Sequence, residues 1–271
     1  MIETTIPGYR VTDGLAVFGP DVTRVKYAID AIFQQWATEI DAQPWDLPAL
    51  LTRSQLTSFD YFDNFPHLAV AATPTMTAEA DGSHEELFIT SAACYGAYAA
   101  LTDTVLEAPL LVTVASRCCR NETRYHGLRR LHQFTMRELV ALGPADHATT
   151  HLTHVKPRVL SLTEHLGLSV QVQHATDPFF DPNGSRALMQ RLLPVKEEIV
   201  TDDGVAIASF NSHRNFFGDR ARISFRGDPV HTSCVAFGLE RWVHALDRRF
   251  NGDWAAAHAA IVAFDTTASG E

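Results

Sequence analysis

Two strand-like segments joined by a tight turn constrain the fold of this chain most strongly. Residues 195–200 and 205–210 flank Asp202-Asp203-Gly204, a pattern typical of an antiparallel hairpin. Two further segments, Leu110–Cys119 and residues 169–173, are rich in Val, Thr and Leu or alternate apolar and polar residues. Helical segments follow without strict strand–helix–strand alternation. We therefore predict an α+β fold with an antiparallel β-sheet.

Two amphipathic segments are predicted to be helices. In residues 21–40 apolar side chains recur at steps of three and four, and Asp21 is a plausible N-cap. This face can bury against the body of the protein or against a second subunit. Residues 237–250 show the same periodicity, residues 187–193 fit a shorter helix, and residues 15–18 and 87–90 fit short strands.

Length and composition predict one globular catalytic domain spanning residues 1–271, of which 46% are hydrophobic. Twenty-two basic against thirty-two acidic residues leave a net charge of −10, which argues against attraction to nucleic acid or an anionic membrane. No apolar run approaches the roughly 18 residues of a membrane span, and the start lacks a secretory signal pattern. Four cysteines are too few for a disulfide scaffold, so we expect a cytoplasmic protein.

An arginine-rich segment stands out in this acidic chain. Residues 117–137 contain six arginines and one acidic residue, Glu122, a local charge of +5. The planar guanidinium group suits bidentate binding of phosphate or carboxylate oxygens. Charge alone fits a solvated basic loop as well as an anion site.

The spacing within this segment is more specific. Arg120-Asn-Glu122 is followed by a loop and then by Arg130-x-x-x-Phe134, which resembles motif 2 of the class II aminoacyl-tRNA synthetases. Gly238-Leu-Glu-Arg241 resembles motif 3 of the same class. Residues 128–142 alone also fit a helical period, but the resemblance implies a strand, which we adopt. Arg120 and Glu122 would then share a strand face with Cys118, and Phe134, Met136 and Glu138 would share another face and one pocket.

Within this class the chain is similar to the amino acid:[carrier protein] ligases, which are related to the catalytic domain of zinc-dependent seryl-tRNA synthetases. The segments that carry this likeness are Tyr61-Phe-Asp-Asn-Phe-Pro-His67, Ala93-Cys-Tyr95, Phe134-Thr-Met-Arg-Glu138, Ala175-Thr-Asp-Pro-Phe-Phe180, Ser209-Phe-Asn-Ser-His213 and His231-Thr-Ser-Cys234 running into Phe237-Gly-Leu-Glu-Arg241. The resemblance implies a Zn²⁺ site formed by Cys94, Glu138 and Cys234 in an amino-acid pocket to which Asn211 also contributes. Taken singly, two cysteines are more often small buried residues and a glutamate is usually solvated.

The resemblance also implies the roles of the residues that would bind ATP. Arg120 would bridge the α-phosphate and the attacking carboxylate, Glu122 would bind the adenine amino group, and Phe134 would stack on the base. Arg241 would cover the other face of the base or bind the γ-phosphate, and Arg130 is a candidate for the outer phosphates. Arg120 and Arg241 are thus the expected catalytic residues.

Further expectations concern cofactors, acceptor and assembly. Mg²⁺ would accompany ATP, yet the acid that class II enzymes often place before the Ser-x-Asn segment is absent near Val205. Asp202 or Asp203 would replace it, or ATP alone would hold the metal. The acceptor would be the phosphopantetheine thiol of an acyl or peptidyl carrier protein, and the enzyme a homodimer. Glycine, alanine or serine would be the substrate, or a larger amino acid used in natural-product assembly.

Two other functions stay open from the sequence. The first is the same chemistry with tRNA as acceptor, which the negative charge and the lack of sequence for a tRNA-binding domain disfavour. The second is a non-catalytic paralogue with a binding or regulatory role. His147, His151 and His154 recur at helical spacing and are predicted to form an exposed face, whereas Cys118 and Cys119 point to opposite faces of a strand and are expected to pack. His126 fits either a loop contact with ATP or a solvated position.

Overall fold

A computed structural model of the protein describes residues 6–73, 85–192 and 194–264. The strands in this part of the chain are β1 (Tyr9–Thr12), β2 (Leu15–Phe18), β3 (Gln43–Trp45), β4 (Leu50–Thr52), β5 (Val70–Ala72), β6 (Leu87–Ile89), β7 (Val105–Leu106), β8 (Leu110–Cys119), β9 (Gln133–Gly143), β10 (Val170–His174), β11 (Lys196–Thr201), β12 (Ala206–Arg214), β13 (Ser224–Phe225), β14 (Asp228–Pro229) and β15 (His231–Gly238). The helices are α1 (Pro20–Glu39), α2 (Arg53–Ser58), α3 (Tyr61–Asn64), α4 (Cys94–Ala100), α5 (Ala145–His165), α6 (Ser185–Leu192), α7 (Phe216–Ala221), α8 (Leu239–Phe250) and α9 (Trp254–Val262), with a 3₁₀ turn at Pro66–Leu68.

A seven-stranded sheet is the centre of the fold. Its strand order is β10-β11-β12-β15-β9-β8-β3, and every neighbouring pair is antiparallel except β3 and β8. The predicted hairpin forms from β11 and β12, and its turn places Gly204 at φ +80°, a conformation that glycine adopts without strain. The prediction of an α+β fold with an antiparallel sheet is confirmed.

Helices α1, α5, α8 and α9 cover one face of this sheet. The largest hydrophobic core lies beneath them, and in it the ring of Phe33 stacks on Phe237 with 3.9 Å between centroids. Phe33 belongs to the apolar stripe that predicts α1, and the other stripe residues Val25, Ile29, Ile32 and Trp36 are buried in the same core. The apolar stripe of α1 therefore packs against its own sheet.

The opposite face of the sheet carries a second core and the cavities described below. Helices α4 and α7 lie on this side, where Tyr98 stacks on Phe217 with ring centroids 4.0 Å apart. A small sheet of order β4-β6-β5 and a third hydrophobic cluster, which includes Tyr61 and Phe88, flank it. Among the described residues, no helix combines the length and the apolar character needed to cross a bilayer.

Several boundaries differ from the predictions. Helix α1 begins at Pro20 with Gly19 as its N-cap, so Asp21 lies in the first turn and is not the cap. The predicted helix over 237–250 begins at Leu239, because the two residues before it complete β15. Residues 133–143 form β9, so the resemblance was the better guide there and the helical period was misleading.

The prediction of an exposed histidine face on α5 is wrong at its central residue. His151 is only 5% exposed and its Nδ1 lies 2.9 Å from the Ser233 hydroxyl, because this side of α5 packs on β15. Cys118 and Cys119 are both buried, as predicted.

Candidate active site

Three side chains from separate parts of the chain meet on the open face of the sheet. Cys94 begins α4, Glu138 lies in β9 and Cys234 lies in β15. One ligand atom from each lies within 4.8 Å of the other two, and all three residues are buried. The Cys234 thiol donates to Glu138 Oε2 at 3.1 Å. The structure thus brings together the three residues that the sequence resemblance singles out.

Backbone amides orient the carboxylate in this cluster. The N–H groups of Ala93 and Cys94 donate to the two oxygens of Glu138 at 2.8 and 2.9 Å. Strand pairing sets the remaining geometry, since Glu138 lies opposite Ala236 and Cys234 opposite Val140. The cysteine and glutamate are therefore diagonal neighbours on one face of a ladder.

The electrostatics of the cluster suit a cation. The hydrogen bond with Cys234 lowers the pKa of Cys94, but burial and the Glu138 carboxylate outweigh it and raise the pKa to about 11. Burial, Cys94 and Glu138 raise the pKa of Cys234 well above its ordinary value. Two thiols and a carboxylate are ligands that Zn²⁺ prefers, and binding the cation would release the thiol protons. The donor set therefore fits zinc with one tetrahedral position left for another ligand.

Two cavities lie on this face of the sheet, and the cluster lines the larger of them. The larger one, of about 450 Å³, is lined by Cys94, Glu138 and Cys234, and the smaller one, of about 100 Å³, opens toward β11 and α8. Five residues line both cavities: Arg120, Met136, Lys196, Ser209 and Ala236. The two cavities therefore meet at these five residues.

Arg120 stands at the boundary between the cavities. Its Nε donates to the Ser91 carbonyl oxygen at 3.1 Å, and its guanidinium lies 5.1 Å from the centroid of the Phe134 ring. Strand β8 ends at Cys119, so Arg120 and Glu122 lie in the following loop and not on the strand, contrary to the prediction. The loop still brings them to the smaller cavity, which they line together with Phe134.

The other predicted ATP-binding residues also line the smaller cavity. Arg130 lies 3.7 Å from Glu122, and its side chain is 53% exposed. Arg241, in the first turn of α8, donates from Nε to the Arg129 carbonyl at 3.1 Å and from Nη1 to the Ala206 carbonyl at 3.0 Å. These backbone bonds hold the Arg241 guanidinium in the cavity wall.

Asn211 lies on the floor of the larger cavity. It pairs with Cys234 across β12 and β15, and its amide donates to the Cys234 carbonyl at 3.2 Å and to the Ser209 hydroxyl at 3.1 Å. The structure therefore places all the predicted site residues around two adjoining cavities.

The sequence reasoning missed an ion pair in the same wall. Lys196 donates to Asp177 at 2.9 Å and lies 3.3 Å from Glu198. Burial alone raises the pKa of Asp177, but Lys196 and the Gln190 amide outweigh it and hold the pKa below its ordinary value. Asp177 lies in one of the segments that carry the resemblance, and Lys196 is one of only three lysines in the chain. Each residue could therefore have been singled out from the sequence, although their pairing could not.

Asp202 and Asp203, which the sequence analysis suggested as magnesium ligands, bind other side chains. Asp202 and Asp203 both contact Arg248, and Asp203 also accepts from His244 at 2.9 Å. Neither aspartate lines either cavity, whereas Glu198 lines the smaller one.

Comparison with known proteins assigns the chain to a family. It is 33% identical over 225 residues to amino acid–[acyl-carrier-protein] ligase 2 of Bradyrhizobium diazoefficiens, a match that covers 73% of this chain and 67% of that protein. Ligase 1 of the same organism is 32% identical over 240 residues, which cover 79% and 73% of the two chains. The chain belongs to the amino acid–[acyl-carrier-protein] ligase family. No protein-family model matches it.

More distant relatives of this ligase family are synthetases. The type-2 serine–tRNA ligase of Methanocaldococcus jannaschii is 29% identical over 131 residues, covering 43% of this chain and 25% of that protein. Among solved structures, the M. kandleri seryl-tRNA synthetase bound to A. aeolicus tRNASec superposes with a TM-score of 0.75 at 18% identity, over 89% of this chain and 54% of that one. The AMP complex of Naegleria fowleri serine–tRNA ligase gives 0.73 at 12% identity, over 95% and 64%.

These superpositions confirm the predicted class II synthetase fold. The chain spans about half the length of the M. kandleri synthetase.

Proposed function

We propose that the chain activates an α-amino acid with ATP and transfers the aminoacyl group to the phosphopantetheine thiol of a carrier protein. Membership of the ligase family supports this activity. The observation that carries the proposal is the position of Arg120, which lines both the cavity with the Cys94–Glu138–Cys234 cluster and the cavity with Phe134. An amino acid held at the cluster and an ATP held beside Phe134 would meet at this guanidinium.

The cysteine–glutamate cluster would select α-amino acids. Cys94, Glu138 and Cys234 would hold a zinc ion, and the ion would supply a Lewis-acidic partner for the neutral α-amino group of the substrate. The two N–H groups that donate to Glu138 keep its carboxylate in place for this task. The two thiolates and the carboxylate would carry −3 against the +2 of the ion, so positioning of the substrate is the contribution we assign to the site.

Activation would occur at the junction of the two cavities. A substrate carboxylate oxygen attacks the α-phosphorus of ATP, the bond from that phosphorus to the bridging oxygen breaks, and pyrophosphate leaves. Arg120 would neutralise charge that develops on the α-phosphate in this displacement. Glu122, Phe134 and Arg241 would hold the adenine, and Arg130 would bind the outer phosphates.

The thioester would form by attack of the phosphopantetheine sulfur on the carbonyl carbon of the aminoacyl-adenylate. The carbon–oxygen bond to AMP breaks, AMP leaves with its electron pair, and the thiol proton passes to solvent. No side chain of the enzyme has to become covalently modified.

Magnesium would arrive with ATP. Of the acidic residues that line the smaller cavity, Glu240 is bound to Lys26 at 2.6 Å and Glu122 lies near Arg130, whereas Glu198 lies 3.3 Å from Lys196, which also binds Asp177. We therefore assign to Glu198 the role that the sequence analysis gave to Asp202 or Asp203.

The remaining features of this proposal keep the expectations of the sequence analysis. We propose that residues 1–271 act as one catalytic domain in the cytoplasm, that the enzyme is a homodimer, and that it serves natural-product assembly. Light scattering of the purified protein tests the dimer, for which a single-subunit mass would be the contrary result.

An ATP–pyrophosphate exchange assay over a panel of amino acids tests activation, with zinc measured on the same sample. We expect exchange with at least one amino acid and about one zinc per chain. Cys94→Ala should lose both, whereas Cys119→Ala, a buried cysteine that lines neither cavity, should keep both. If no amino acid supported ATP–pyrophosphate exchange, the result would instead support a non-catalytic paralogue.

The acceptor is tested by offering holo-carrier protein and a purified tRNA pool to the enzyme in parallel. Mass spectrometry should find the aminoacyl thioester on the carrier, because a net charge of −10 disfavours binding of an RNA backbone. Charging of tRNA at a comparable rate would contradict this part of the proposal.

A further inference from the structure

The larger cavity continues past the zinc ligands, away from the ATP end. Along β12, Ser209 lies opposite Ala236 at the junction of the cavities, and Asn211 lies opposite Cys234 at the cluster. Ser212, His213 and Arg214 follow Asn211 along β12 and also line the cavity, and His213 lies about 7 Å beyond Asn211 along the strand. The pairing of β12 with β15 shifts between Ser212 and Arg214, and such bulges often re-aim a side chain beside an active site.

The surroundings of His213 hold its ring in one orientation. Its Nδ1 lies 3.2 Å from the Tyr98 hydroxyl and 3.2 Å from the Thr232 hydroxyl. The edge of the ring meets Phe217 with centroids 5.0 Å apart and an interplanar angle of 87°. Among the described residues, nothing forms a hydrogen bond with its Nε2, and the ring borders the cavity. A fixed imidazole therefore presents one polar atom to a bound molecule.

The charged groups nearest His213 are Asp177 and Lys196, while of the arginines that line the cavity Arg220 binds Asp60 at 2.6 Å and Arg214 is exposed to solvent. Burial lowers the pKa of His213 to about 4, with Asp177 opposing and Lys196 adding to the effect, so the imidazole is neutral at pH 7. Asp177 is itself bound by Lys196 and by the Gln190 amide, at 2.9 and 2.8 Å. Neither His213 nor Asp177 offers an uncompensated charge to a substrate.

The geometry of an amino acid then decides which part of it reaches His213. With the amino group at the Cys94–Glu138–Cys234 cluster and the carboxylate turned toward Arg120, the side chain leaves the α-carbon away from the ATP end. We propose that His213 Nε2 forms a hydrogen bond with this side chain. The enzyme would thereby select an amino acid whose uncharged side chain carries a hydroxyl or amide group. This inference rests on the proposed function.

Isosteric pairs of amino acids test the inference by ATP–pyrophosphate exchange. Serine is compared with 2-aminobutyrate, threonine with valine, and asparagine with leucine. We expect kcat/KM for the polar member of the accepted pair to be at least about tenfold higher, since a site built around a hydrogen bond rejects the analogue that lacks it. In His213→Leu this ratio should fall to about one while kcat/KM for the apolar member stays within about threefold. His213→Gln, which keeps a polar side chain, should retain part of the preference.

Control measurements separate this role from a structural one. His154→Leu, on the exposed side of α5, should leave the ratio unchanged, and zinc content should be the same in all variants. If the wild-type enzyme used glycine, alanine or the apolar isosteres as well as the polar partners, the inference would fall while the proposed function stood. If no amino acid supported exchange, both would fall. A ratio unchanged in a folded, zinc-loaded His213→Leu would also overturn it.

Discussion

Replacing Glu138 with glutamine should weaken the metal-free protein as well as its metal site. The carboxylate accepts N–H groups from Ala93 at 2.8 Å and from Cys94 at 2.9 Å, one on each oxygen. A glutamine amide can accept only one of them, and its NH₂ group would then face the other backbone donor. Losing one charge-assisted hydrogen bond in a buried site costs about 1.5–3 kcal/mol of the free energy of unfolding.

Urea unfolding in the presence of EDTA measures this cost, and repeating it with zinc measures the contribution of the site. At a free zinc concentration 100 times the dissociation constant, binding stabilises the parent by about 2.7 kcal/mol, and Glu138→Gln should lose most of that gain. Glu164→Gln, on the exposed side of α5, should stay within about 0.5 kcal/mol of the parent in both conditions. A Glu138→Gln protein as stable as the parent in EDTA, with zinc still bound, would refute the reasoning.

Three further predictions concern the ATP end, the core and the response to acid. Arg120→Lys should slow pyrophosphate exchange about 10²–10³-fold, whereas Arg130→Lys, on a half-exposed side chain, should cost less than about tenfold. Asp30→Ala removes the partner that binds Arg137 through two 2.8 Å contacts, and should lower the free energy of unfolding by about 3 kcal/mol; Asp30→Leu combined with Arg137→Met should recover at least half in urea unfolding. Burial lowers the pKa of His151 from 6.5 to about 3, and the charges of two neighbouring histidines lower it further in the same direction. Between these pH values the unfolded chain therefore binds a proton at this position and the folded chain does not. The contribution of neutral His151 to the free energy of unfolding is complete above about pH 6.5 and declines as the pH falls toward 3, with a loss of about 2 kcal/mol at pH 5. In His151→Leu, the free energy of unfolding measured in urea should therefore change less with pH between 6.5 and 3.

Local patterns in the sequence predicted some of the strands and helices, chiefly those that bury one face. The hairpin of β11 and β12 and the apolar stripe of α1 are examples, since turn chemistry and periodicity act over a few residues. Helix caps were predicted less well. Asp21 has the right chemistry for an N-cap, yet Gly19, two residues earlier, takes that position because the helix already starts at Pro20.

The parts of the site that the sequence could not predict depend on contacts distant along the chain. The ion pair of Asp177 with Lys196 joins a loop to β11, and the burial of His151 depends on where α5 crosses β15. The buried residues of α5 recur at steps of three and four, so His151 lies on the same stripe as Ala148 and Val155, a signal that the prediction of an exposed face overlooked. The Cys–Glu–Cys cluster was accessible only through the family resemblance, because its members are separated by at least 44 residues.

Strand β9 explains why the catalytic and structural requirements of this fold are tied together. Phe134, Met136 and Glu138 face the cavities, while the residues between them face the helices, where the Thr135 hydroxyl donates to Glu240 at 2.9 Å and Arg137 binds Asp30. A shift of one residue in the pairing of β9 with β8 or β15 would exchange the two sets. It would bring Arg137 toward Cys94 and Cys234 and turn Glu138 toward α1. The ion pairs on the helix side therefore do more than stabilise the core, because they also fix the register that delivers Glu138 to Cys94 and Cys234.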